Sequence, residues 1–156
     1  MEAAEDCKEE GDQVMSYQVV CRDFMQLSFS ERRRLRQLTL KDGTMKELWY
    51  VCQANCFGIL AFIAFSNSNI VGWASMEVDQ LTGIPQPFAR VGVFVKPNHR
   101  HRGVGSLLLI ATKDFAHNKG WRMAVNPNED NISFFKSILC LDEDYKPLSN
   151  FMCEKI

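Results

Sequence analysis

Val95-Lys96-Pro97-Asn98-His99-Arg100-His101-Arg102-Gly103-Val104-Gly105-Ser106 reads as the end of a strand, a basic glycine-containing loop and the first turn of a helix. Arg90 to Val95 is apolar and β-branched enough for a strand, and Pro97 must end it. From Val104 a helix is expected, with Leu107, Leu108, Ala111 and Phe115 facing the core and Lys119-Gly120 as its stop. The unpaired N–H groups and positive dipole end of such a helix favour an anion. Gly103 and Gly105 let the backbone approach that anion closely, and Arg100 and Arg102 add charge-assisted hydrogen bonds. No acidic residue stands between Asp79 and Asp114, so the segment presents positive potential and a polyanionic ligand is the expectation.

Working outward, Gly58 to Phe65 and Ile70 to Val78 are apolar runs joined by Ser66-Asn67-Ser68-Asn69, the pattern of a hairpin. Tyr17 to Cys21 reads as a first strand. Ser28 or Ser30 caps a helix through Glu31, Leu35 and Leu38 to Gly43, and a second helix is expected from Thr44 to Ala54. Beyond the central helix, Trp121 to Val125 is a short strand, Asn126-Pro127-Asn128 a turn, Glu129 to Ile138 a helix and Phe151 to Lys155 a last strand. With no internal repeat and no second core, this order describes one α/β unit, a mixed sheet with helices on both faces.

The bulk properties agree with one domain. At 156 residues and 46% hydrophobic content the chain can bury a core without a metal or disulfide staple, and no metal site is expected. The six cysteines are scattered, which suits reduced thiols in an intracellular protein. Residues 1–15 hold six acidic residues against Lys8 and lack the apolar core of a secretory signal, so they are expected to be a disordered lead-in to a domain over residues 16–156. The longest apolar run, near Phe57 to Phe65, is too short to cross a bilayer, so a cytoplasmic protein without membrane contact is expected. A net charge of −1 argues against bulk nucleic-acid binding.

A glycine loop after a strand also occurs in dinucleotide binders, but the Rossmann pattern needs three glycines after the first strand of a βαβ unit, and this loop has two and follows several strands. Arg100-His101-Arg102-Gly103-Val104-Gly105 instead resembles the Q/R-x-x-G-x-G/A pyrophosphate motif of the GNAT superfamily of N-acetyltransferases. Its surroundings are similar too: Val95-Lys96-Pro97 leads in, and a strand, an Asn-rich turn and the aromatic-bearing segment Asn128 to Phe135 follow. The resemblance implies a splayed mixed sheet of about six to seven strands with about four helices. It implies acetyl-CoA as cosubstrate, its pantetheine bonded to the backbone of Phe94 and Val95 and its pyrophosphate on the loop of Arg100, His101, Arg102, Gly103, Val104, Gly105 and Ser106. Asn128 or Asn131 would stand near the pantetheine, with Phe135 on the following helix.

Direct transfer from thioester to neutral amine needs a base for the amine proton and an acid for the leaving thiolate. The tyrosine that many relatives use as acid is replaced by Phe135 or, in the other alignment, Lys136, which leaves water, Tyr145 or another group. The fourth-strand glutamate that some use as base is absent from Phe88-Ala89-Arg90, so Glu77 and Asp79 are the nearest candidate carboxylates, with a solvated strand end as their plain alternative. Trp73 and Trp121 read as core, and Phe134 and Phe135 as either core or slot lining. The acceptor amine could belong to a protein, an aminoacyl-tRNA, a polyamine or a small molecule, and a homodimer is compatible with the family. Two rival classes stand beside the enzyme: a CoA-binding protein without turnover, and a nucleic-acid module using the Arg-His-Arg loop and the Arg32 to Arg36 cluster.

Overall fold

The computed structural model describes residues 16–42, 59–148 and 151–155. The acidic residues 1–15 and the helix expected over Thr44 to Ala54 lie outside them. Seven strands form one sheet in the order β1-β2-β3-β4-β5-β7-β6. They are β1 (Gln18–Asp23), β2 (Ile59–Ser66), β3 (Asn69–Asp79), β4 (Phe88–Val95), β5 (Arg122–Val125), β6 (Leu141–Asp142) and β7 (Met152–Glu154). Every neighbouring pair is antiparallel except β4 and β5, which run parallel. Among the described residues three α-helices accompany the sheet: α1 (Phe29–Asp42), α2 (Val104–Asn118) and α3 (Ile132–Ile138). This is the α/β mixed sheet that the sequence implies, with both faces covered.

Local chemistry explains the boundaries. Ser28 Oγ accepts from Glu31 N at 3.1 Å while the Glu31 carboxylate accepts from Ser28 N at 3.1 Å, a reciprocal capping box that starts α1 at Phe29. Hydrogen bonding to the carboxyl from the Ser28 backbone N–H, and then from its side chain, holds Glu31 below the usual carboxylate range. In the hairpin between β2 and β3, Asn67 and Ser68 both take positive φ (49° and 70°), the geometry of a turn that follows the right-handed twist of its strands.

Alternation along the strands sorts the core into two layers. One face of the sheet packs Trp73, Phe94, Ile63 and Ile70 under Phe24, Leu27 and Leu35, the last from α1. The other packs Met76, Val91, Val93 and Phe62 under Val104, Leu108 and Leu109 of α2 and Phe135 of α3. The buried stripe of α2 is Val104, Leu108, Leu109, Thr112 and Ala116, so the expected face was rotated: Leu107 points outward, 43% exposed. The run Leu107 to Ile110 is apolar throughout, and periodicity alone cannot choose among four adjacent apolar positions. The helix expected from Glu129 begins only at Ile132, because Asn128 and Asn131 close the turn before it.

A smaller cluster of Phe88, Ala124 and Cys153, with Tyr145, Leu148 and Phe151 against it, fills the N-terminal end of β4 and the β5–β7 contact. No described helix is long and apolar enough to cross a membrane.

Candidate active site

The parallel β4–β5 pairing covers only Phe88, Ala89 and Arg90 against Arg122, Met123 and Ala124. Beyond it β5 ends at Val125, its other edge held by β7 through Ala124–Cys153 and Val125–Met152. The buried Glu154 adds to this hold, accepting from Met123 N at 2.7 Å and lying 2.8 Å from His117 Nε2 of α2. The two strands therefore part, and among the described residues no strand lies beside that edge of the last residues of β4.

Which backbone groups face that split follows from two bonds. Arg122 N donates to Pro87 O at 3.1 Å on the β5 side, and Lys96 N donates to Val71 O at 2.8 Å on the β3 side. Alternation then turns the amides of the odd-numbered residues, Val91, Val93 and Val95, toward the split, and that of Phe94 toward β3. Val93, which the sequence reading did not single out, thus also presents its backbone to the split and lines the cleft there. Its position two residues before Val95 on one strand was the available signal. The Phe94 side chain is buried on the α1 face.

Gly72 holds the pair β3–β4 close at this point. A Cβ there would stand 2.7 Å from the carbonyl oxygen of Phe94 and 3.3 Å from Val95 Cα, both backbone atoms that cannot swing away.

After β4 the chain makes a single 3-10 turn (Pro97–His99) and enters α2 through two left-handed residues, His101 (φ 62°) and Gly103 (φ 86°). No side chain caps α2, and its first described bond is Leu107 N to Gly103 O, so the amides of the first turn point into the loop. A Cβ on Gly103 would meet no atom; its backbone conformation is what calls for glycine. At Gly105 the reason is space: a Cβ would come within 3.3 Å of the Phe134 ring.

Arg100 Nε donates to Val95 O at 2.9 Å, which ties the loop to the strand end. His99 stacks edge-on with Tyr17 and lies 3.3 Å from its hydroxyl through Nδ1. Burial, followed by the charges of Arg102 and Lys96, lowers its pKa from the usual histidine value.

Strand split, loop and α3 enclose a cleft of about 520 Å³, in the range of small-molecule and cofactor sites. Of the residues singled out from sequence, Phe94, Val95, Arg100, His101, Gly103, Gly105, Ser106, Asn128, Asn131 and Phe135 line it. Arg102 is exposed outside the lining, and the Val104 side chain is buried in the core. Asp130 lines the cleft and was not foreseen; nothing in its sequence context separates it from an ordinary turn acid. Asn128 Oδ1 accepts from Asp130 N and Asn131 N, while Asn131 Oδ1 accepts from Asn128 N, so the two side chains brace each other's backbone.

The three candidates for proton transfer lie elsewhere. Glu77 stands opposite Arg90, where the β4–β5 pairing ends, and Asp79 opposite Phe88, where it starts; both carboxylates reach Arg90 across the strand pair. Arg90 Nη2 is 2.7 Å from Glu77 Oε2. Arg90 Nε is 2.5 Å from Asp79 Oδ2, an ion-pair distance at an angle that makes no hydrogen bond. The Arg90 guanidinium also lies 5.7 Å from the centre of the Phe151 ring. Tyr145 packs edge-on against Phe88, two residues further from the split than Arg90. The structure thus gathers ten of the twelve cofactor candidates into one cleft and leaves Glu77, Asp79 and Tyr145 outside its lining.

The family model described as "Acetyltransferase (GNAT) family" matches residues 22–139. No curated protein sequence matches the chain. Among solved structures, an aminoglycoside acetyltransferase from an uncultured soil metagenomic sample is 21% identical, with a TM-score of 0.62 over 78% of this chain and 86% of that one. A ribosomal-protein-alanine N-acetyltransferase from Brucella melitensis biovar Abortus 2308 is 14% identical, with a TM-score of 0.65 over 85% and 96%. The aminoglycoside N-acetyltransferase AAC(6')-Iy, solved in complex with CoA, is 24% identical, with a TM-score of 0.52 over 78% and 85%. Likenesses at these identities concern the fold.

Proposed function

Since the chain belongs to the GNAT acetyltransferase family, we propose that it transfers an acetyl group from acetyl-CoA directly to the neutral amine of an acceptor. The observation that carries this reading is the cleft at the β4–β5 split, where an uncapped helix N-terminus, two left-handed loop residues and a strand edge converge. Each part fits acetyl-CoA. The first-turn amides of α2 and the Arg100 guanidinium suit a pyrophosphate, with Arg102 and the His101 backbone at the rim. The amides of Val93 and Val95 and the carbonyl of Val93 suit the amide groups of a pantetheine arm, since Val95 O is already taken by Arg100. Phe134 and Phe135 supply an apolar wall, and Asn128 and Asn131 keep the turn beside it rigid.

When bound, acetyl-CoA supplies an activated acyl group and a thiolate leaving group. The chain must hold the acceptor where the split begins and remove a proton from its nitrogen. Glu77 is the carboxylate at that place, Asp79 lies two residues further along β3, and Arg90 fixes both on one face of the sheet. Glu77, 45% exposed, is the more accessible of the two, and we assign it the base role, through a water if the acceptor nitrogen stands off. Tyr145 is assigned no proton, because its ring is packed against Phe88 away from the cleft.

One observation favours a second reading, a CoA-binding protein without turnover: both carboxylates are already engaged by Arg90. A single assay separates the two. Purified protein is given acetyl-CoA and a panel of polyamine, aminoglycoside and peptide N-terminal acceptors, and free thiol is followed. Acceptor-dependent release supports the enzyme; saturable acetyl-CoA binding with no release from any acceptor supports the second reading.

A further inference from the structure

The turn that leads from β4 into α2 is held by contacts of two different ranges. Some are local: His99 N donates to Lys96 O at 2.9 Å, Arg100 N to Pro97 O at 3.3 Å and Arg100 Nε to Val95 O at 2.9 Å. Each of these closes the turn on its own stem and moves with it. The contact between His99 and Tyr17 is of the other kind. It joins residues 82 apart in the chain, with the hydroxyl 3.3 Å from Nδ1 and the ring centroids 6.1 Å apart at an interplanar angle of 81°. His99 is partly buried, while Asn98 and Arg100 on either side of it are exposed.

Tyr17 is a firm anchor for such a contact. It immediately precedes β1, whose first residue, Gln18, pairs with Phe65 of β2, and its ring packs against the apolar cluster that includes the buried face of α2. The histidine suits the other half of the contact. Burial, then the charges of Arg102 and Lys96, favour its neutral form, and a neutral ring protonated on Nε2 leaves Nδ1 to accept the Tyr17 O–H.

Two residues on, His101 takes a φ of 62°, a left-handed conformation that a residue with a Cβ keeps only where its surroundings impose it. The bond from Arg100 Nε to Val95 O restrains the chain just before it, and the contact of His99 with Tyr17 restrains the turn from another element. An anion that binds this loop then meets groups already in place and gives up less affinity to ordering them.

We propose that Tyr17 is a positioning residue for the loop: by its contact with His99 it holds the turn Pro97–His99, and with it His101 and the first turn of α2, in the shape that receives an anion. Neither Tyr17 nor His99 lines the cleft, so the effect is on the shape of the loop and not on contact with the ligand. That the anion is the pyrophosphate of acetyl-CoA rests on the function proposed above; the holding of the loop does not.

Two measurements on the full chain at about pH 8, where His99 is neutral, test the proposal: amide hydrogen exchange without ligand, and calorimetric titration of acetyl-CoA. The proteins compared are the wild type, Tyr17→Phe, which keeps the ring and removes only the hydroxyl, His99→Phe, which keeps an aromatic edge and removes the Nδ1 acceptor, and the double variant. In each single variant the amides of residues 99–106 are expected to exchange about three- to tenfold faster, the weight of one hydrogen bond. The amides of β2 and β3 should be unchanged, and acetyl-CoA should bind more weakly by a similar factor. The double variant should be no worse than either single one, because both substitutions remove the same contact. A loop that exchanges at the wild-type rate in Tyr17→Phe overturns the proposal. So do effects that add in the double variant, a rise in exchange shared equally by β2 and β3, or undiminished acetyl-CoA affinity in a variant whose loop has loosened. Faster loop exchange in the variants of a chain whose wild type binds no acetyl-CoA upholds the brace and removes acetyl-CoA as the ligand.

Discussion

β4 serves two different kinds of site at its two ends. Its C-terminal end, from Val93 through the loop to Ser106, is made of backbone: strand edge, left-handed turn residues and helix amides. Its N-terminal end is made of side chains, where Arg90 meets Glu77 and Asp79 across the strand pair and Phe88 and Phe151 pack nearby. A backbone site depends on a few glycines and on strand order, so it tolerates change in most of its side chains. A side-chain site depends on residues that only the pairing register brings together, and each substitution there alters the chemistry directly.

The largest effect expected from this contrast is at the side-chain end. Glu77→Gln with Asp79→Asn should lower kcat by about a hundredfold or more, the range of a lost general base, while acetyl-CoA affinity stays within a factor of two or so. A double variant that keeps full kcat would remove both carboxylates from the chemistry.

Next comes Gly72→Ala, which places a Cβ against two backbone atoms of β4. It should cost about 1–3 kcal/mol, read as a fall in the thermal unfolding midpoint, and should weaken acetyl-CoA binding although residue 72 does not line the cleft. An unchanged midpoint would mean that β3 and β4 have room to separate there.

The smallest effect concerns His99. Its pKa is lowered in the folded chain by burial, Arg102 and Lys96, with the Tyr17 hydroxyl alongside, so the unfolded chain takes up the proton first as pH falls below the ordinary value of 6.5. Stability should therefore fall on acidification from about pH 6.5, and His99→Gln should flatten that slope. A slope identical in the variant would assign the loss to other groups.

The same contrast explains what could be read in advance. Val95 to Ser106 was legible because left-handed turns and uncapped helix starts have a residue signature, and ten of the named cofactor candidates line one cleft as a result. Val93 was missed because the edge of a strand that faces a gap is a property of pairing. The pairing of Glu77 and Asp79 with Arg90 was hidden for the same reason: eleven to thirteen residues and a loop separate them in the chain, and only the β3–β4 register brings them together. The outward turn of Leu107 shows the limit of pattern in a run of apolar residues, where the identity of each position is the same and only the packed neighbours decide.

The central claim is that the loop at the end of β4 binds the polyphosphate of acetyl-CoA, and calorimetric titration of acetyl-CoA into the wild type and into Arg100→Ala tests it most directly. Saturable binding to the wild type, weakened about 10- to 100-fold in the variant as a charge-assisted hydrogen bond and the tether to Val95 are lost together, is the expected result. Heat of binding that is absent in well-folded wild type, or equal in the two proteins, would contradict it.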